Sequence, residues 1–136
     1  MIIVDASTLV SATFRRGSVP DLAVRHALRT GQVAVSEPVM AEFVDVLYRP
    51  GLAKYVKPEL RADLLGQFRA RAAVIVPTVI VTDCRDAKDN KYLELALAAA
   101  AGTIVSSDDD LLVLHPWRSV RILKPAAYLV ETQAGR

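Results

Sequence analysis

Carboxylates recur in this chain where apolar runs stop. Asp5 follows Met1-Ile2-Ile3-Val4, a group of Asp83, Asp86 and Asp89 follows a β-rich stretch ending at Val81, and Asp108, Asp109 and Asp110 separate Thr103-Ile104-Val105 from Leu111-Leu112. Glu42 adds a different placement. Between Ser36 and Tyr48, residues Val39, Met40, Phe43, Val46 and Leu47 share one stripe at about 100° per residue. Glu42 lands at the edge of that stripe, while Asp45 turns further toward solvent. A carboxylate beside a buried face costs desolvation, and three aspartates within one turn repel each other. A divalent cation relieves both conflicts, because hard cations take carboxylate oxygens as ligands.

Each acid also has an ordinary structural reading. Asp5 suits the N-cap of a helix beginning at Ala6, and Asp108 suits that of a short helix beginning at Asp109. Asp86 is a good cap for the helix of "DNKYLELALAAAAG", with Asp89 favoured by the positive end of the dipole. Glu42 can snorkel. Asp83 has no role beyond its loop.

The elements that must position these acids alternate short β-rich runs with longer helical segments, the pattern of a parallel α/β sheet. Strands are expected at Ile2–Val4, Val33–Val35, Thr103–Val105 and Val120–Leu123, with one or two more within Ala73–Val81, which Pro77 interrupts. Helices are expected over Ala6–Phe14, Pro20–Thr30, Pro38 to about Tyr48, Pro58–Arg71, Asp86 or Asp89 to Gly102, Asp109–Leu114 and Pro125–Glu131. Asp5, the Asp83–Asp89 group and Asp108 all follow β-rich runs. In an open parallel sheet they therefore meet at the carboxyl edge, where ligands bind.

Composition narrows the class without choosing the chemistry. With 136 residues, 52% of them hydrophobic, the chain is expected to form one domain, 1–136, with a real core. Its apolar stretches are too short for a membrane span, its N-terminus has no basic leader, and the single cysteine, Cys84, makes no internal disulfide. A cytoplasmic protein is expected. Seventeen basic and fifteen acidic residues give a net charge of +2; basic residues recur through the first half, from Arg15 to Lys57, whereas aspartates cluster in Asp83–Asp89 and Asp108–Asp110. His26, His115 and Trp117 read as packing residues, and Gly-rich phosphate loops and "HEXXH", "CXXC" or "GXSXG" patterns are absent.

The ordered set "VDASTLVSA", "SEPVMAEFVDVL", "RDAKDNKYLELAL" and "IVSSDDDLLVL" resembles the PIN-domain ribonuclease superfamily, most nearly the toxin components of prokaryotic toxin–antitoxin modules. The resemblance implies a three-layer α/β/α sandwich around a mostly parallel sheet of four to five strands. It also implies an RNA endonuclease using one or two Mg²⁺ or Mn²⁺ ions, an antitoxin partner and a homodimer. On this resemblance Asp5, Glu42, Asp89, Asp108 and Asp110 are the catalytic acids, with Asp5, Asp89 and Asp108 holding the principal ion. Glu42 and Asp110 complete a second site or orient the attacking water. Asp86 is a cap or auxiliary group, although the choice between Asp86 and Asp89 as third acid stays open. Ser106 stands at a usual Ser/Thr position, and Ser7 stands where many members have asparagine. Arg15, Arg16, Lys88 and Lys91 are the basic residues nearest in sequence for RNA phosphates. Asp109 is left without a duty and is expected to face solvent.

Two rival readings accompany this one. A receiver-type phosphoacceptor domain also gathers aspartates at a sheet edge, but it normally needs an acidic pair after the first strand, where this chain has Asp5-Ala6-Ser7-Thr8. A PIN-like module that binds RNA or protein without cutting is the other.

Overall fold

Ile3, Val4, Ile104 and Val105 are all buried, although neighbouring residues of a strand point to opposite faces. Both faces of the sheet are therefore covered, as all-apolar strands require. In the computed structural model, which describes residues 1–134, these residues belong to β1 (Ile2–Val4) and β4 (Thr103–Val105), paired in parallel with Ile3 opposite Ile104. β5 (Arg121–Leu123) pairs in parallel with the other edge of β4. β2 (Ala34–Val35) pairs in parallel with β3 (Ala73–Val74), and a parallel bridge between Ile2 and Val33 joins this pair to β1. The resulting order is β3-β2-β1-β4-β5, with the topology reversing direction between β1 and β4.

Among the described residues seven helices complete an α/β/α arrangement: α1 (Ala6–Ala12), α2 (Val19–Thr30), α3 (Glu37–Leu47), α4 (Pro58–Arg71), α5 (Asn90–Ala98), α6 (Asp109–Leu112) and α7 (Pro125–Ala134). Short 3-10 turns occupy Pro50–Leu52 and Ala87–Asp89. Caps fix several starts. Ser18 accepts from the Asp21 N–H and Ser36 from the Val39 N–H, so α2 and α3 each begin one residue past a serine. Phe43 of α3 and Phe68 of α4 meet edge to face with centroids 5.2 Å apart, fixing the helix that carries Glu42.

One open question about the elements is resolved and one expectation needs correction. The β-rich stretch Ala73–Val81 supplies only the two residues of β3; Val76, Val79 and Ile80 are exposed, and Pro77 cannot donate to a ladder. The helix expected to run to Gly102 ends at Ala98. There Ala100 takes φ 49°, its N–H reaches the Leu97 carbonyl, and the Ala101 N–H reaches that of Ala96. That pair of bonds is a Schellman stop, with alanine where glycine is usual. Of the two starts left open, Asp89 is the N-cap position of α5, while Asp86 caps the preceding 3-10 turn.

Candidate active site

Asp5, Glu42, Asp89 and Asp108 line one cavity of about 150 Å³ at the carboxyl ends of β1 and β4, where the strand order reverses. This is the crevice that open parallel sheets offer to ligands. Asp5 sits there because β1 ends and α1 begins at that point, and its carboxylate caps α1 by accepting the Thr8 N–H at 3.0 Å. The capping role and the cavity position coexist. Ser7 Oγ lies 2.8 Å from each Asp5 oxygen, and the Ser106 hydroxyl donates to Asp5 Oδ2. Ser106 Oγ accepts in turn from the Asp108 N–H at 2.9 Å, so one serine ties the acid after β1 to the acid after β4.

The aspartate triplet divides. Asp108 caps α6 by accepting from the Asp110 N–H, Asp109 is exposed as expected, and Asp110 turns to Arg85. Asp110 also converges with Asp86 and Asp89, one carboxylate oxygen of each lying within 4.8 Å of the other two. Asp89 is thus common to both groups. Asp86 is half-buried at the outer rim, whereas Asp89 is 4% exposed and lines the cavity.

A regular set of cations balances some of these acids and leaves others alone. Arg85 pairs with Asp110, Lys88 with Asp86 at 3.4 Å, and Lys91 with Glu42 at 3.0 Å. These three basic residues are spaced by three in "RDAKDNK", which puts them along one side of the chain as it enters α5. Among the described residues, Asp5, Asp89 and Asp108 have no basic partner within ion-pair distance. Burial raises the Asp5 pKa against the pull of its hydrogen bonds. Asp89 is pushed up to about 7, first by burial and then by its contact with Asp108. Its Oδ2 is buried without a hydrogen-bond partner. A buried carboxylate oxygen with no donor is the environment a cation fits, and the surrounding set of oxygen ligands suits a hard divalent one.

Sequence reasoning missed Tyr92. Its buried hydroxyl donates to Glu42 and accepts the Ala6 N–H at 3.0 Å, so it holds the carboxylate of α3 against the start of α1. Burial and the neighbouring Glu42 push its pKa upward, keeping it a donor. The signal was its position three residues after Asp89, on the same face of the chain entering α5. Arg49 was also missed. It lines the cavity from just past the end of α3, two residues after Leu47. Of the four basic residues expected to meet RNA, Lys88 lines the cavity and Lys91 is engaged by Glu42. Arg15 and Arg16 are exposed beyond the far end of α1, a helix about 10 Å long, and are not among the residues lining the cavity.

Asp83, Cys84, His26, His115 and Trp117 have structural work. Asp83 accepts from Trp117 Nε1 at 2.8 Å, the N–H of buried Cys84 donates to Asn90 Oδ1 at 2.8 Å and its thiol to the Asp110 carbonyl at 3.4 Å, and His115 Nδ1 accepts from the Ile122 N–H. His26 meets the Tyr128 hydroxyl at 3.0 Å.

The PIN domain family model matches residues 1–110. The chain belongs to the PIN-domain family. An uncharacterized protein of Methanocaldococcus jannaschii is 26% identical over 116 residues, covering 84% of this chain and 74% of that protein. The crystal structure of PAE2754 from Pyrobaculum aerophilum superposes with a TM-score of 0.63 at 18% identity, over 98% of this chain and 89% of that one. VapBC2 from Rickettsia felis, solved bound to a DNA fragment from its promoter, gives 0.55 at 17% identity, over 91% and 98%. These likenesses establish the fold through β5 and α7, beyond the family match. No helix among the described residues is long and apolar enough to cross a membrane.

Proposed function

We propose that this PIN-domain chain is a Mg²⁺- or Mn²⁺-dependent endoribonuclease, the toxin of a toxin–antitoxin pair. The observation that carries the reading is the trio Asp5, Asp89 and Asp108. Among the described residues these three acids share one cavity without a basic partner, and one of them keeps an orphaned buried oxygen, while Asp110, Asp86 and Glu42 beside them are paired with Arg85, Lys88 and Lys91. The trio would hold a divalent ion, with Asp110 and Asp86 reaching the same Asp89 from outside. Such an ion, when bound, offsets charge on a phosphodiester and makes water more acidic.

The chain's own groups supply orientation. Both Glu42 oxygens are engaged, by Tyr92 and Lys91, so its carboxylate is fixed at the cavity wall as an acceptor for an attacking water. Ser7 and Ser106 keep the Asp5 carboxylate from rotating. Lys88 and Arg49, both lining the cavity, face the phosphate that enters it. A cytoplasmic location, a homodimer and an antitoxin protein as binding partner belong to the same proposal; the likeness to a VapBC complex supports the antitoxin. Family membership also favours this reading over a receiver-type phosphoacceptor.

The test is incubation of the pure protein with a pool of structured RNAs in Mn²⁺ and in Mg²⁺. Cleavage is expected, abolished by Asp5→Asn and retained by Asp109→Asn. Intact RNA in every pool with wild-type protein overturns the enzyme in favour of a module that binds without cutting.

A further inference from the structure

The chain has eight aromatic residues, and the two that are exposed, Tyr48 at 57% and Tyr55 at 51%, lie in the same connection between α3 and α4. That connection carries no acidic residue between Asp45 and Glu59, but it carries Arg49, Lys54 and Lys57. Lys54 and Lys57 are exposed, with no carboxylate within ion-pair distance among the described residues. The Lys54 ammonium lies 5.1 Å from the Tyr55 ring centre, and the Arg61 guanidinium lies 4.0 Å from that of Tyr48. Among the described residues Arg61 also lacks an acidic partner, and its Nε is buried without a hydrogen bond. Cations are thus held against both rings.

The strip is continuous with the cavity at one end and with more positive charge at the other. Arg49, next to Tyr48, lines the carboxylate cavity. At the other end the Lys57 N–H donates to the Thr13 carbonyl at 2.9 Å, and Tyr55 packs on Phe14 with centroids 5.8 Å apart. Arg15 and Arg16, both exposed, follow Phe14 directly in the chain. Exposed rings interleaved with cations suit unpaired bases, which stack, and their phosphates, which pair; a duplex hides its base faces.

We infer that the α3–α4 connection is a docking strip for an unpaired segment of RNA, with Tyr48 and Tyr55 as stacking faces that feed the strand past Arg49 into the carboxylate cavity. The identity of the polyanion rests on the nuclease reading; the strip rests on its own geometry.

The test measures fluorescence anisotropy of a labelled, unstructured RNA strand with the full chain in EDTA, where no cutting occurs, against the same strand annealed to its complement. The strand is expected to bind more tightly than the duplex. Tyr48→Ala and Tyr55→Ala should each weaken strand binding about tenfold, while the phenylalanine variants retain it. Lys54→Gln and Lys57→Gln should each reduce the slope of log affinity on log salt by about 0.7. Melting temperatures of these surface variants should match wild type, so that lost binding is not lost folding. Equal binding of duplex and strand, or alanine variants that bind the strand like wild type, overturns the strip. Tyrosine-dependent capture of an acidic peptide, with strand binding insensitive to both alanines, also overturns it and assigns the surface to a protein partner. Cleavage in Mn²⁺ is read separately. Cutting with unaltered binding in the tyrosine variants removes the strip and keeps the nuclease, and the reverse pattern does the opposite.

Discussion

At the residue scale, Asp89 makes the metal-free protein sensitive to pH. Its folded pKa of about 7 lies above the ordinary 3.8, so the native state binds its proton more tightly than the unfolded chain does. The stability this confers is complete below about pH 4 and is lost as pH rises through about 7. Burial of Asp5 acts in the same direction. In EDTA the melting temperature should therefore fall from about pH 5 to about pH 7.5, and Asp89→Asn should flatten that fall. A flat wild-type profile contradicts the assignment. Tyr92 gives a second prediction. Tyr92→Phe removes the hydroxyl shared by the Ala6 N–H and Glu42, and urea unfolding should register a loss of about 1–3 kcal/mol. An unchanged midpoint would mean that the hydroxyl does not hold the two elements together.

At the element scale, two helix ends make opposite demands on a single methyl group. Gly31 closes α2 at an ordinary negative φ, yet a Cβ there would stand 2.5 Å from Ile2 Cδ1 and 2.9 Å from the Ala27 carbonyl oxygen. Gly31→Ala should cost about 1–3 kcal/mol through overpacking against β1. Ala100 has the reverse problem, a left-handed backbone with a side chain. Ala100→Gly should stabilise by about 1 kcal/mol, read from the same urea titrations. Most helix starts were legible because Ser18, Ser36 and Asp108 are local caps whose hydrogen bonds close within three residues. The end of α5 was not, since an alanine in place of the usual glycine leaves no mark in the sequence. Nor was the shortness of β3, because an apolar run carries the same composition whether it is paired or exposed.

At the scale of the whole molecule, the order β3-β2-β1-β4-β5 turns sequence-distant acids into one cavity. Asp5 and Asp108 were legible from strand ends and Glu42 from a helical stripe, which are short-range signals; Asp89 reaches the rim from a 3-10 turn, since β3 ends at Val74 and no strand leads into it. Their charge balance did not. Pairing of Lys91 with Glu42 and of Arg85 with Asp110 spans 49 and 25 residues, and only the folded chain separates the neutralised acids from the three left over. That separation is the central claim, and calorimetric titration with Mn²⁺ at neutral pH, without RNA, tests it most directly. Wild type and Asp109→Asn should bind one or two equivalents with the same affinity, and Asp5→Asn should bind at least about tenfold more weakly. No binding heat in wild type, or equal binding by all three chains, would contradict the account.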